Sequence, residues 1–273
     1  MTHNSPTDRD ATQELRQVSM PFATGRAVSA LMLREMSTSY GRSPGGYIWA
    51  VLEPAGGIAL MTAIFSAGFR TPPLGTSFAL FYATGLLIFL MYADVGGKIL
   101  QTINFSRALL EYPRVTFIDA LLARFLLNVI TQFMVHFVIM GGILILLAPD
   151  VTMDLGKIAL AYAMVLALAF GIGTINSFLT LAYPVWQTIW VVLNRPIFLI
   201  SALFFLPESV PQPYRDILWY NPLLHPIGAM RDGFYAYYEP TYVSSAYVFF
   251  ISAITTLVGL FLLNRYHRDI LDK

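Results

Sequence analysis

The 273-residue chain has no cysteine, which excludes disulfides, thiolate nucleophiles and thiolate metal sites. Charge is nearly as scarce. Asp, Glu, Lys and Arg together make up 12% of the residues, about half the share of an ordinary globular domain. A soluble enzyme is excluded on that ground. The formal net charge of +1 leaves no basic field for a nucleic-acid backbone. Four scattered histidines offer no metal-ligand spacing, so no cofactor is expected in this chain. A phosphate-cradling GxxxxGK[ST] loop is also missing. The nearest string, DVGGKIL at Asp94 to Leu100, has neither the loop length nor the Ser or Thr that would hold magnesium. Any ATP and Mg must therefore be handled by a partner chain.

Apolar residues fill that space, at 56% of the chain with 14% aromatic and a mean hydropathy of +0.62. One crossing takes roughly 20 apolar residues, and hydropathy marks six spans: Trp49 to Phe69, Phe78 to Val95, Leu121 to Leu147, Ile158 to Leu181, Trp186 to Phe205 and Ala246 to Leu263. The expected fold is an all-α membrane protein with six transmembrane helices. With the N-terminus inside, twelve Lys and Arg lie on the inner side. Only Arg70, Lys157, Arg215 and Arg231 lie outside. The positive-inside rule then places both termini in the cytoplasm.

Residues 1–25 are polar and lack the apolar core of a secretory leader, and they read as a disordered cytoplasmic tail. Residues 26–273 read as one transmembrane domain. Within 26–45, Val28, Leu31, Met32 and Met36 make one helical stripe beside Arg26 and Arg34, too short and too charged to span. A helix lying along the membrane surface is expected, ended by YGRSPGG. Two connections exceed turn length. The inner one, 96–120, reads as an amphipathic helix, Lys98 to Leu110, followed by EYPRVTFID. The outer one, 207–245, carries six prolines yet stays apolar and aromatic. Short helices dipping into the outer leaflet are expected there, where protein or water covers the open backbone groups.

Polar groups inside the spans are the candidate functional residues. Arg124, Asn128, Gln132 and His136 follow at steps of four, a slowly winding stripe that either bonds to neighbouring helices or lines a watery path. Arg195 stands tenth in Trp186 to Phe205 beside Pro196. Either it meets Glu53, Asp119 or an aqueous cavity at the midplane, or it snorkels to the surface. Glu53, before Pro54, reads as an ion-pair partner or a proton relay. Tyr235, Tyr237, Tyr238 and Tyr242 crowd the outer loop, as an interfacial belt or as platforms on which sugars slide. Tyr47 and Trp49, at the start of the first span, fall to the expected seam between two copies of the chain.

Three strings carry a resemblance. GYIWAVLEP at Gly46 to Pro54, preceded by YGRSPG, LLEYPRVTFIDALLAR at Leu109 to Arg124, and ISALFFLPESVPQPYRDILWYNPLLHPIGAMRDG at Ile200 to Gly233 together resemble the membrane permeases of ABC exporters for capsular polysaccharide. The similarity runs in one register from about Leu31 to Tyr266. It implies an ABC-2 type (type V exporter) fold in the bacterial inner membrane. It further implies a homodimer bound to two copies of a separate ABC ATPase, a periplasmic adaptor protein, and a lipid-linked polysaccharide moved among membrane lipids. Exporters of O-antigen or teichoic acid share this architecture; an intramembrane glycosyl- or acyltransferase would need a cluster of acids or histidines that is missing here. On this resemblance residues 26–45 become a gate helix, and 96–120 hold the helix that couples to the ATPase, with Arg107, Glu111, Tyr112 and Arg114 as contacts. Where the family has VKPID, this chain has Thr116 and Phe117, and Glu111 adds an acid. The residues expected to line the substrate pathway are Tyr47, Trp49, Glu53, Arg124, Gln132, Arg195, Tyr235, Tyr237 and Tyr238. An acidic glycan would take its charge contact from Arg195.

Overall fold

A computed structural model describes residues 23–39, 46–110, 115–148 and 151–271, with the side chains of Ala23, Thr38, Ser39, Tyr47 and of 267–271 outside the description. Residues 1–22 of the expected tail, the YGRSPG break, and the coupling residues Glu111, Tyr112 and Arg114 lie beyond the described residues, whereas Ala23, Thr24 and Gly25, expected in the tail, already belong to the first helix. Among the described residues every regular element is helical. Five helices are long and apolar enough to cross a membrane.

Helix α1 (Ala23–Ser39) packs on α5, burying Val28 and Glu35 and half-burying Leu31 and Met32, while Met36, expected on the same stripe, is exposed. Helix α2 (Gly46–Gly68) carries Pro54 in its interior and buries little beyond Pro54 and Ile58. It is apolar on all sides, as expected of a segment that faces lipid or another chain. Helix α3 (Phe78–Leu100) is capped by Ser77, whose Oγ accepts from the Leu80 N–H at 3.3 Å. It is the buried axis of the fold, with Phe81, Ala83, Ile88, Met91, Val95 and Ile99 fully enclosed by α2, α5, α6 and α9.

The expected amphipathic helix Lys98 to Leu110 is split. Lys98 to Leu100 complete α3, Gln101 turns, and α4 (Thr102–Leu110) follows. Helix α5 (Phe117–Leu147) begins with a reciprocal cap. The Asp119 N–H donates to Thr116 Oγ1 at 3.2 Å, and the Thr116 N–H donates to Asp119 Oδ2 at 3.0 Å. The two residues that depart from the VKPID pattern thus start a helix, and Asp119 is engaged there rather than with Arg195. Helix α6 (Leu155–Ala182) is capped by Asp154, which accepts from Gly156 and Lys157.

Helix α7 corrects the fifth predicted span. It runs only from Trp186 to Ile200, about 22 Å at 1.5 Å per residue against a hydrocarbon core of roughly 30 Å. Pro196 removes an internal hydrogen bond, and Ala202 adopts φ 58°, which turns the chain before Phe205. Beyond it come a 3₁₀ turn (Pro207–Ser209), α8 (Tyr214–Trp219) and α9 (Leu224–Phe234), which packs back on α3 and α6. Helix α10 (Ser245–Leu271) lies along α6 through small residues, the usual way apolar helices reach close contact in lipid. A Cβ at Gly259 would stand 2.7 Å from the Ile175 nitrogen, and one at Gly171 would meet Ser252 and Thr255.

Candidate functional site

Three groupings of polar side chains stand out. The first joins α1, α4 and α5 at one end of the molecule. Arg124 Nε donates to Glu35 Oε1 at 2.9 Å, with both side chains 5% exposed. The guanidinium lies over the Phe105 ring at 4.3 Å from its centroid. A buried charge of this kind is held only by its partner, so the pair pins α1 to α5, and the stacked ring brings α4 to the same point. Arg124 was expected to line a pathway; it is instead closed inside this junction. Glu35 escaped the sequence reading, although an acid seven residues after Val28, on the same apolar stripe, is the kind of signal that marks a buried partner.

The second grouping is a cleft between α2, α3 and α5 with about 370 Å³ of space for water. Trp49, Glu53 and Pro54 of α2, Asp94 and Lys98 of α3, and Asn128, Thr131 and Gln132 of α5 line it. The stripe of four on α5 divides here. Asn128 donates to the Arg124 carbonyl at 2.7 Å, Gln132 Nε2 donates to Asp94 Oδ2 at 2.6 Å, and His136 Nδ1 donates to the Gln132 carbonyl at 2.8 Å. Asn128 and His136 thus bond within α5, Arg124 and Gln132 bond across to α1 and α3, and Asn128 and Gln132 line the cleft. Trp49 is 62% exposed, and Glu53 is exposed. In the sequence Asp94 carries no signal beyond its place in DVGGKIL, a string that lacks the features of a phosphate loop.

The third grouping lies at the opposite end, where α9 meets the start of α3. Arg231 is fully buried, stacks on Phe81 at 4.2 Å, and donates to the carbonyls of Leu203 at 3.1 Å and Phe205 at 3.2 Å. It had been counted only as a flanking charge. Tyr235 and Tyr238 are buried, which removes them from the exposed platform expected of them, while Tyr237 is 69% exposed. The Tyr238 hydroxyl donates to Glu208 Oε1 at 3.0 Å. Burial, with the Tyr242 hydroxyl and the Glu208 carboxylate beside it, keeps this phenol protonated well above the ordinary tyrosine range. Arg195 sits exposed on α7 and makes no hydrogen bond or ion pair among the described residues, neither with Glu53 nor with Asp119. Arg107 is exposed on α4.

His225 ties this end together. Its Nδ1 accepts the Ser244 N–H at 3.2 Å, so Nε2 carries the proton and donates to the Trp219 carbonyl at 3.1 Å. Rings of Trp219, Tyr242 and Tyr247 surround it. Burial lowers its pKa below the ordinary imidazole value. The unfolded segment takes up a proton below about pH 6.5, while the folded clamp resists one. Stability of this segment is therefore complete above that pH and declines as pH falls toward the lowered folded value. Protection factors of the amides across 219–247, with the base-catalysed intrinsic rate divided out, are expected to be lower at pH 5 than at pH 7.5, and His225→Phe should flatten the difference. Equal protection at both pH values would refute the clamp.

Residues 26–235 match the family model of the ABC-2 type transporter. The polysialic acid transport protein KpsM of Escherichia coli is 29% identical over 236 residues, covering 85% of this chain and 90% of that protein. The capsule polysaccharide export inner-membrane protein CtrC of Neisseria meningitidis is 24% identical over 246 residues, covering 90% and 92%. BexB of Haemophilus influenzae, of the same description, is 24% identical over 250 residues, covering 90% and 93%. The family match spans well over half of the sequence and includes the first two polar groupings together with Glu208, His225, Arg231 and Tyr235 of the third, so the chain belongs to the ABC-2 type transporter family.

Proposed function

We propose that the chain is the membrane permease subunit of an ATP-driven ABC exporter that moves lipid-linked capsular polysaccharide across the bacterial inner membrane. The observation that carries this reading is similarity over 85–90% of the chain to proteins named for polysialic acid transport and capsule polysaccharide export. Energy comes from two copies of a separate ATPase, which binds ATP and Mg and docks at the α4 end. Exposed Phe105 and Arg107 supply part of that surface, continued by Glu111, Tyr112 and Arg114. Both termini face the cytoplasm on the charge asymmetry of the flanks. Two copies of the chain form the passage along α2 and α7, whose sides stand exposed in the single chain, with Tyr47, Trp49 and Arg195 near the seam. A periplasmic adaptor receives the polymer at the α9 end, where Tyr237 is exposed. Residues 26–45 and 96–120 serve as gate and coupling segments.

Deleting the gene in its own host is expected to remove surface capsule and leave polymer inside the cell, with recovery only when the chain and its ATPase are both supplied. Unchanged surface glycan would refute the reading. Loss of O-antigen or teichoic acid in place of capsule would transfer the same mechanism to that polymer.

A further inference from the structure

The cleft between α2, α3 and α5 holds more polar chemistry than its own packing uses. Gln132 steadies Asp94 from the side. Among the described residues the side chains of Glu53 and Lys98 make no hydrogen bond or ion pair, although both line the same space. Ionisable groups placed within apolar spans are costly and mark ligand paths. About 370 Å³ also falls within the roughly 300–1,000 Å³ common to small-molecule sites.

The composition of the lining discriminates among ligands. A metal ion is disfavoured because Lys98 accompanies only two carboxylates, and the described residues contain no group of three metal-binding side chains. A free phosphate would face two carboxylates for one ammonium. A wholly apolar ligand would strip water from Glu53 and Asp94 without replacing its hydrogen bonds. A polyhydroxylated ring suits every wall. Its hydroxyls donate to Glu53 and Asp94 and accept from Lys98, while its C–H face lies on the exposed indole of Trp49.

We propose that this cleft binds the uncharged, hydroxyl-bearing face of one sugar unit, with Asp94, Glu53 and Lys98 as its hydrogen-bonding groups and Trp49 as its platform. The inference rests on the exporter reading for its biological ligand but not for its chemistry. Each contact is single and open to water on one side, as a subsite must be if successive units are to pass. A polyol lipid headgroup such as phosphatidylglycerol shares the same hydroxyl chemistry.

Saturation-transfer NMR on the full chain in phosphatidylcholine nanodiscs tests it. The probes are maltotriose and an oligosaccharide released by mild acid from the host's own surface polysaccharide. Transfer to ring protons is expected for the wild type. Glu53→Leu and Trp49→Ala, both at exposed positions where folding is not at stake, should each weaken binding about tenfold, the scale of a charge-assisted hydrogen bond. Asp94→Asn should do the same, and Trp49→Phe should recover part of the loss. Repeating the measurement in phosphatidylglycerol nanodiscs separates the sources, since a headgroup occupant would suppress transfer only there. Absence of transfer from both sugars, or equal transfer in the variants, overturns the inference. The gene deletion reports separately on export: capsule lost with no sugar bound leaves the exporter reading standing and removes the cleft. Capsule retained with sugar bound through Trp49 and Glu53 does the reverse.

Discussion

Glu35→Ala is expected to lower stability by about 3–5 kcal/mol, because it leaves the Arg124 guanidinium buried and uncompensated beneath Phe105. The physical expectation has two parts that separate cleanly. Chemical and thermal denaturation in nanodiscs should report the full loss for Glu35→Ala. The double variant Glu35→Leu with Arg124→Met should recover most of it, since apolar residues of similar size often replace a buried ion pair at little cost. Export in the double variant is the sharper measurement. Glu35 lies on α1, Arg124 on α5 and Phe105 on α4, so the guanidinium is the common contact of a surface helix, a membrane span and the helix proposed to meet the ATPase. If that contact transmits motion, the double variant should fold and retain its ATPase while export stays several-fold low. Full export at wild-type stability would reduce the pair to a fastening, and an unaltered Glu35→Ala melt would remove even that.

Arg231→Met is expected to cost about 3–5 kcal/mol, from two charge-assisted hydrogen bonds at about 1.5–3 kcal/mol each, less what the added apolar burial returns. The carbonyls of Leu203 and Phe205 that it satisfies lie just beyond Ala202, at the turn that ends α7. Without the guanidinium those carbonyls lose their donor at a point where the chain already holds an unfavourable φ. Amides of residues 201–210 should therefore exchange earlier than the rest of the molecule. Arg231→Lys should fail to rescue, because an ammonium cannot reach two separated carbonyls and stack flat on Phe81 at once. A lysine variant that melts and exchanges like the wild type would show that charge alone, not the planar fork, holds this turn.

The amino-acid sequence by itself determined the membrane class and the helical architecture. Each is a property summed locally: hydropathy over a span and the scarcity of charge within it. The start of α5 is local as well, a Thr and an Asp three residues apart, but hydropathy begins that span only at Leu121, four residues beyond Phe117. Four of the predicted spans fall within long helices, α3, α5, α6 and α10, and the first falls within α2 but for its last residue, Phe69, because burial in lipid rewards any continuous apolar helix regardless of its neighbours. The tertiary structure alone decided the rest. Glu35 and Arg124 are 89 residues apart, and Asp94 and Gln132 are 38 apart, separations over which hydropathy carries no information. Arg231 looked like a solvated flank because a basic residue in a proline-rich connection usually is one. It is buried because α9 folds back against α3 and Gly85 leaves room beside its guanidinium, a Cβ there standing 3.3 Å from Nη2. Trp186 to Phe205 counted as a full span by composition, yet Pro196 and the turn at Ala202 end its helix at Ile200. Hydropathy sums residues along one chain, whereas a charge becomes affordable inside a membrane protein only through a partner brought to it by the packing of another helix.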